Sequence, residues 1–156
     1  MPTHAEKRVL PYRPEQLFDL VADCGKYPEF LPWCVGARVR SRSEKEVVAD
    51  ITIGYGPFRE TFTTRDTLDR PRRIDVRYER GPFRHLNNHW LFIPRGDRTE
   101  VDFYIDFEFH SRILQAAIGV VFNEAARRMV AAFHRRAIAV YGPPKPLPAA
   151  QTEPAR

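Results

Sequence analysis

The chain's 156 residues are 43% hydrophobic, 12% aromatic and 29% charged, which fits one domain with a substantial core and excludes a disordered polymer. No apolar run approaches the roughly 20 residues needed to cross a bilayer, which excludes a helical integral membrane protein. Lys and Arg number 25 against 20 Asp and Glu, a net charge of +5 that draws the chain toward an anionic partner, phospholipid headgroups or RNA, without separating the two.

The first element is a strand over Ala5–Tyr12. Pro14 then occupies a first helical position, and Leu17, Phe18, Leu20 and Val21 share one face of the helix that Cys24-Gly25 stops. Lys26–Leu31 reads as a second short helix. From Cys34 the apolar period becomes two. Strands are predicted at Val47–Tyr55, Phe58–Leu68, Arg72–Arg80, Leu86–Pro94 and Glu100–Phe109, most with one apolar and one polar face, as antiparallel hairpins require. A long helix follows from Ser111, its N-cap, to Tyr141, where Gly142-Pro143 ends it. Its stripe runs through Leu114, Ala117, Ile118, Val121, Phe122, Ala125, Met129, Ala132, Phe133 and Val140. Residues 5–141 thus form one α+β domain, with a strongly twisted sheet curled around the last helix. Residues 142–156 form a Pro-rich extension expected to be disordered.

Enzyme signatures are missing: there is no GxxxxGK[ST], GxGxxG or GxSxG motif. His85 and His89 share a strand face without a third ligand at metal spacing, so no metal site is expected. Cys24 and Cys34 read as reduced thiols, and MPTHAEKRVL lacks the apolar core of a signal peptide, so a cytosolic location is expected. Asp102, Asp106 and Glu108 fall on the face opposite the apolar set and are expected in solvent. Glu60 instead shares a face with Phe58 and Phe62 and points inward, either to an arginine or to a cavity ligand. Tyr27–Cys34 (YPEFLPWC) joins a helix to a strand with two prolines and three aromatics. It reads as a rigid plug of one sheet end or as the lip of a cavity that touches a membrane interface.

Three stretches carry a resemblance: LPYRPEQLFDLVADCGKYPEFLPWC (Leu10–Cys34), GPFRHLNNHWLF (Gly81–Phe92) and VDFYIDFEFHSRIL (Val101–Leu114). In order and spacing they resemble the coenzyme Q-binding START-like family, whose bacterial members are also called ribosome-association toxins. That family lies within the polyketide cyclase/dehydrase, or helix-grip, superfamily. The resemblance implies a seven-stranded antiparallel sheet gripping the C-terminal helix, two short helices after the first strand, and an elongated apolar cavity. It implies a carrier of ubiquinone or a polyprenyl precursor rather than a catalyst, with ubiquinone as bound ligand and no other cofactor.

On that reading Tyr27, Phe30, Pro32 and Trp33 form the mouth, and Phe58, Trp90, Phe92, Phe103, Ile105, Phe107, Phe122 and Met129 line the tunnel, although each also suits a plain core position. Quinone carbonyls only accept hydrogen bonds, so Trp33, Arg59, Tyr78 and Asn88 are the candidate donors; an ionised Glu60 would be unfavourable there. Surface arginines, among them Arg127, Arg128, Arg135 and Arg136, would hold the protein transiently on the anionic cytoplasmic face of the inner membrane. Two other readings stand: a toxin on the large ribosomal subunit, and a small cyclase-like enzyme using Glu60. DNA is not an expected partner.

Overall fold

The structure is a computed structural model that describes residues 3–143; residues 144–156, most of the Pro-rich extension, lie outside the described residues. Its elements are β1 (Thr3–Leu10), α1 (Pro14–Ala22), a 3-10 helix (Cys24–Glu29), β2 (Cys34–Arg42), β3 (Glu46–Tyr55), β4 (Phe58–Asp69), β5 (Arg73–Arg80), β6 (Phe83–Arg95), β7 (Arg98–Phe109) and α2 (Arg112–Tyr141). All strands pair antiparallel in the order β1-β7-β6-β5-β4-β3-β2. Chain order and sheet order agree from β2 to β7, as hairpin connections dictate. Only β1 joins out of sequence, beside β7, so α1 and the 3-10 helix must carry the chain from one edge of the sheet to the other. This is the helix-grip architecture that the three motifs imply.

Local chemistry explains the boundaries. Pro14 opens α1, and the Gln16 side chain accepts the Arg13 backbone N–H at 3.0 Å. The following helix is a 3-10 turn starting at Cys24 rather than a helix from Lys26 to Leu31, because the chain winds directly out of α1 with Lys26 N–H on the Asp23 carbonyl. β1 stops at Leu10, two residues earlier than the sequence predicts; Tyr12 is buried beyond it, its carbonyl accepting from the Thr99 hydroxyl at 2.6 Å. β6 and β7 reach further toward each other than predicted, since Gly96 in the left-handed region (φ 66°) lets the chain reverse tightly. A register shift between Phe83 and His85 lets both Phe83 and Leu86 be buried on one strand.

The Ser111 hydroxyl accepts from Leu114 N–H at 3.1 Å to start α2, and Gly142 (φ 84°) ends it. The buried line of the helix is Leu114, Phe122, Ala126, Val130, Ala132, Phe133 and Ala137. Val140, predicted on that stripe, is 51% exposed, because the 3.6-residue period carries the apolar line through Ala126, Val130 and Ala137 and past it. Two packed groups pin the helix. Val130, Phe133 and Ala137 lie with Leu17, Phe18, Trp90, Phe92 and Phe103; Leu114 and Phe122 lie with Phe83, Leu86, Phe107 and Phe109. Phe103 is 1% exposed, its ring 4.5 Å from Trp90, so Phe103→Ala should cost about 3–5 kcal/mol in urea unfolding. Ile113→Ala, at a position 75% exposed, should change stability by less than about 0.5 kcal/mol.

Candidate functional site

Strand alternation sends one side chain in two toward α2, and between the two packed groups those side chains do not meet the helix. What remains is a cavity of about 260 Å³, larger than the roughly 150 Å³ void that admits a benzene ring in an apolar protein interior. Ile51 and Ile53 of β3, Ile74 and Val76 of β5, Trp90 of β6, and Ile105 and Phe107 of β7 form its sheet wall; Ile118, Val121, Phe122, Ala125, Ala126 and Met129 form the helix wall. At one end Tyr55 and Phe58 flank the exposed turn Gly56-Pro57, with Trp33 beside them. Trp33 has φ 68° and its carbonyl accepts Gly54 N–H at 2.8 Å, so a bulky residue is held in the left-handed region at the rim.

Of the residues singled out in the sequence, Tyr27, Trp33, Phe58, Asn88, Trp90, Ile105, Phe107, Phe122 and Met129 border the cavity. Phe30, Tyr78, Phe92 and Phe103 do not. Phe92 and Phe103 sit behind the wall: Phe92 packs edge-on against Phe18 at 5.7 Å and Phe103 against Trp90. Phe30 packs on Phe133 at 5.2 Å beneath the Arg136 guanidinium. Tyr78 lies edge-on to Phe83, and its hydroxyl oxygen accepts the Phe83 N–H at 3.0 Å.

The expected donors are mostly engaged or turned away. Asn88 gives an amide hydrogen to the Tyr104 carbonyl at 2.8 Å, and Arg59 is exposed and outside the lining. Glu60 does line the cavity, but it forms no ion pair among the described residues, and Arg65 of the same strand pairs with Glu46 and Glu79 instead. Asp106 departs from the solvated state expected of it. It is 9% exposed beneath Tyr104, Asn87 and His85, whose contacts at 2.5, 3.2 and 3.0 Å outweigh the effect of burial and hold its carboxyl below the ordinary value.

The sequence reading missed Asp66. It lies on the inward face of β4 with Phe58, Glu60, Phe62 and Thr64, and it lines the cavity. A step of eight positions, about 26 Å of strand, separates it from Phe58 at the rim. The side chain is 4% exposed; Oδ2 accepts from the Cys24 thiol at 3.4 Å, and Oδ1 has no partner. Tyr27 and Cys34 border the same cavity, with the Tyr27 hydroxyl donating to the Val21 carbonyl. Burial pushes the Cys24 thiol and the Tyr27 phenol well above their ordinary values, so both stay protonated. Burial also raises the Asp66 carboxyl from 3.8 to about 6, against the pull of Cys24 and Thr64. The strict period of two from Phe58 was the available signal.

An inward-facing, mostly apolar hollow with a few polar groups is suited to hold and orient a ligand; its one thiol-carboxyl contact, Cys24 to Asp66, has its thiol kept protonated by burial, and among the described residues no group of three or more His, Cys, Asp or Glu would ligate a metal. Residues 10–134 match the family described as polyketide cyclase / dehydrase and lipid transport. The chain belongs to that family. The ribosome association toxin RatA of Pseudomonas aeruginosa is 38% identical over 91% of this chain and all of that one. The coenzyme Q-binding protein COQ10 homolog B, mitochondrial, of Xenopus laevis is 32% identical over 89% of this chain, which spans 59% of that protein. Among solved structures, the 18 kDa protein CC1736 from Caulobacter crescentus is 40% identical with a TM-score of 0.73, covering 92% of this chain and all of that one. Both branches of the resemblance read from the three motifs therefore occur among relatives of this polyketide cyclase/dehydrase and lipid transport family member.

Asp66 makes the cavity costly. Because the folded carboxyl keeps its proton to higher pH than the unfolded one, stability falls as pH rises from 3.8 toward about 6 and is level above that. The rise corresponds to roughly 3 kcal/mol at neutral pH. Asp66→Asn should therefore stabilise the protein by up to about 3 kcal/mol near pH 7.5 and by little below about pH 4, as urea unfolding at the two pH values would show.

Proposed function

We propose that the protein is a non-enzymatic carrier of a polyprenyl quinone such as ubiquinone, or of its polyprenyl precursor. The observation that carries this reading is the cavity of about 260 Å³, walled by Ile, Val, Phe and Trp and enclosed between one helix and a seven-stranded sheet. An isoprenoid tail is almost wholly apolar, and each five-carbon unit removed from water returns about 4 kcal/mol before ordering costs. Such a ligand needs shelter from water and no chemistry, and the lining supplies the first without the residues for the second. The relative named for coenzyme Q binding supports the choice of cargo. No helix among the described residues is long and apolar enough to cross a membrane, so on this reading the carrier meets its cargo at the cytoplasmic face of the inner membrane by peripheral contact. Among the described residues Arg135 carries no ion pair, and Arg127 and Arg128 share the single acid Glu124, leaving positive charge on the exposed side of α2 for anionic headgroups.

A second reading, association with the large ribosomal subunit, is supported by the toxin names of the bacterial relatives and by the same arginines, which would meet RNA phosphate. Organic extraction of the purified protein followed by mass spectrometry separates the two. Near-stoichiometric quinone is expected of the carrier; its absence, with salt-sensitive co-sedimentation with the large ribosomal subunit, would overturn the carrier in favour of the toxin. Ala125 lines the cavity from α2, so Ala125→Phe places a ring in the hollow. Retained quinone should fall by about tenfold or more, while the melting temperature moves by only a few degrees.

A further inference from the structure

The cavity lining contains one buried side-chain polar atom that no hydrogen bond among the described residues accounts for. Among the described residues, Asp66 Oδ1 is buried without a hydrogen-bond partner, in a wall built mostly of aliphatic and aromatic side chains. Native proteins rarely leave a buried acceptor unsatisfied, and such an atom marks a place where something else completes the bonding. Elsewhere in the lining Tyr27 donates to the Val21 carbonyl, Asn88 donates to the Tyr104 carbonyl, Trp33 stands at the rim and Glu60 lies six positions along β4, while Thr64, two positions from Asp66, draws on its carboxyl.

We propose that Asp66 anchors the head of the bound quinone at the inner end of the cavity, its neutral carboxyl donating the Oδ1 hydrogen to a ring carbonyl while the isoprenoid tail runs along the apolar wall toward Tyr55 and Phe58. The proposal rests on the carrier reading and adds to it an orientation and a requirement on protonation. The Cys24 thiol donates to Oδ2, which leaves Oδ1 as the oxygen that carries the proton. A carbonyl oxygen offers only lone pairs, so it bonds the acid and is repelled by the carboxylate. Burial favours the acid, as the raised pKa of about 6 records, and a ligand that expels water from the cavity favours it further.

Affinity for the oxidised head should then weaken as pH rises through about 6, because the competent fraction of Asp66 declines. The titratable and charged groups around it are Cys24 and Tyr27 of the 3-10 helix, Cys34 and Arg42 of β2, and Glu60 on its own strand. Its register partners, Val47 on β3 and Val76 on β5, are uncharged, as are Met129 and Phe133 on the facing helix. Cys24, Tyr27 and Cys34 are all pushed upward by burial, away from the range in which Asp66 ionises.

The test uses the full-length, delipidated protein, with ubiquinone carrying two isoprene units and a ring-free isoprenoid hydrocarbon as probes. Binding is read by quenching of Trp fluorescence, since Trp33 and Trp90 border the cavity. The wild type should bind the quinone about tenfold or more tighter near pH 5.5 than near pH 7.5, and the hydrocarbon equally at both. Asp66→Val should lose about tenfold for the quinone at the lower pH and nothing for the hydrocarbon. Asp66→Asn, which keeps a donor but cannot ionise, should hold near wild-type affinity with no pH dependence, whereas Glu60→Gln should keep the wild-type pH profile. If Asp66→Val binds the quinone as the wild type does, if it weakens both probes equally, or if pH dependence survives in Asp66→Asn, the anchor is wrong and the carrier reading stands. If the wild type binds neither probe, the carrier reading falls and the anchor with it.

Discussion

A curled sheet of seven strands buries its concave face only if something fills the curl, and α2 fills it incompletely. The helix is fixed at both ends. Near its start Ser111 caps it, the Gln115 side chain accepts the Phe109 N–H at 2.7 Å, and Leu114 and Phe122 lie among the rings of Phe83, Phe107 and Phe109. Near its end Phe133 meets Trp90 at 5.1 Å, the Tyr12 hydroxyl donates to the Gly142 carbonyl, and Tyr141 donates to the Gln16 carbonyl. Large rings at both contacts hold the axis away from the sheet. Between them the helix presents Ala125 and Ala126, too short to cross the gap. The hollow is thus a consequence of where large and small side chains fall along one helix, and it persists because each end is pinned independently.

Holding such a space open works against stability. Apolar walls lose the dispersion contacts that a packed core would give them, and Asp66 adds the penalty of a buried ionisable group. A protein selected only to fold would fill the gap and replace the acid, as Ala125→Phe and Asp66→Asn do. On the carrier reading, the features that lower stability are the ones a ligand would repair, restoring contacts to the walls and a partner to Oδ1. Sites that cost stability are where function is most economically sought.

The architecture was largely legible because alternation and helical period report which way a side chain faces. Leu86, Asn88 and Trp90, predicted on one face of β6, do face the interior together. What periodicity cannot report is depth. Phe92 and Ile105 are both inward on neighbouring strands, yet Phe92 is sealed by Phe18 from α1 while Ile105 borders the void; the difference is set by which element arrives on top, at long sequence range. Asp66 was missed for a related reason. Its charge reads as a surface residue, and only its parity with Phe58 and Phe62 places it inside. The helix stripe drifted for a third reason: a small residue such as Ala137 carries little hydrophobic signal, but it is the kind that lets a helix approach its neighbours.

Cavity size also bears on how a carrier would work. A void of about 260 Å³ takes a ring and a short length of isoprenoid when roughly 150 Å³ houses a single benzene. A longer tail must leave between Trp33, Tyr55 and Phe58 at the rim. There it meets water unless a membrane surface covers it, so a long-chain cargo would be held securely only close to the bilayer and would be driven back into lipid by its own exposed length. On the proposed reading, anchoring the head at the far end by one hydrogen bond, rather than enclosing the whole molecule, would give a complex that forms and dissolves at the membrane. The positive face of α2 would keep the protein there while the exchange takes place.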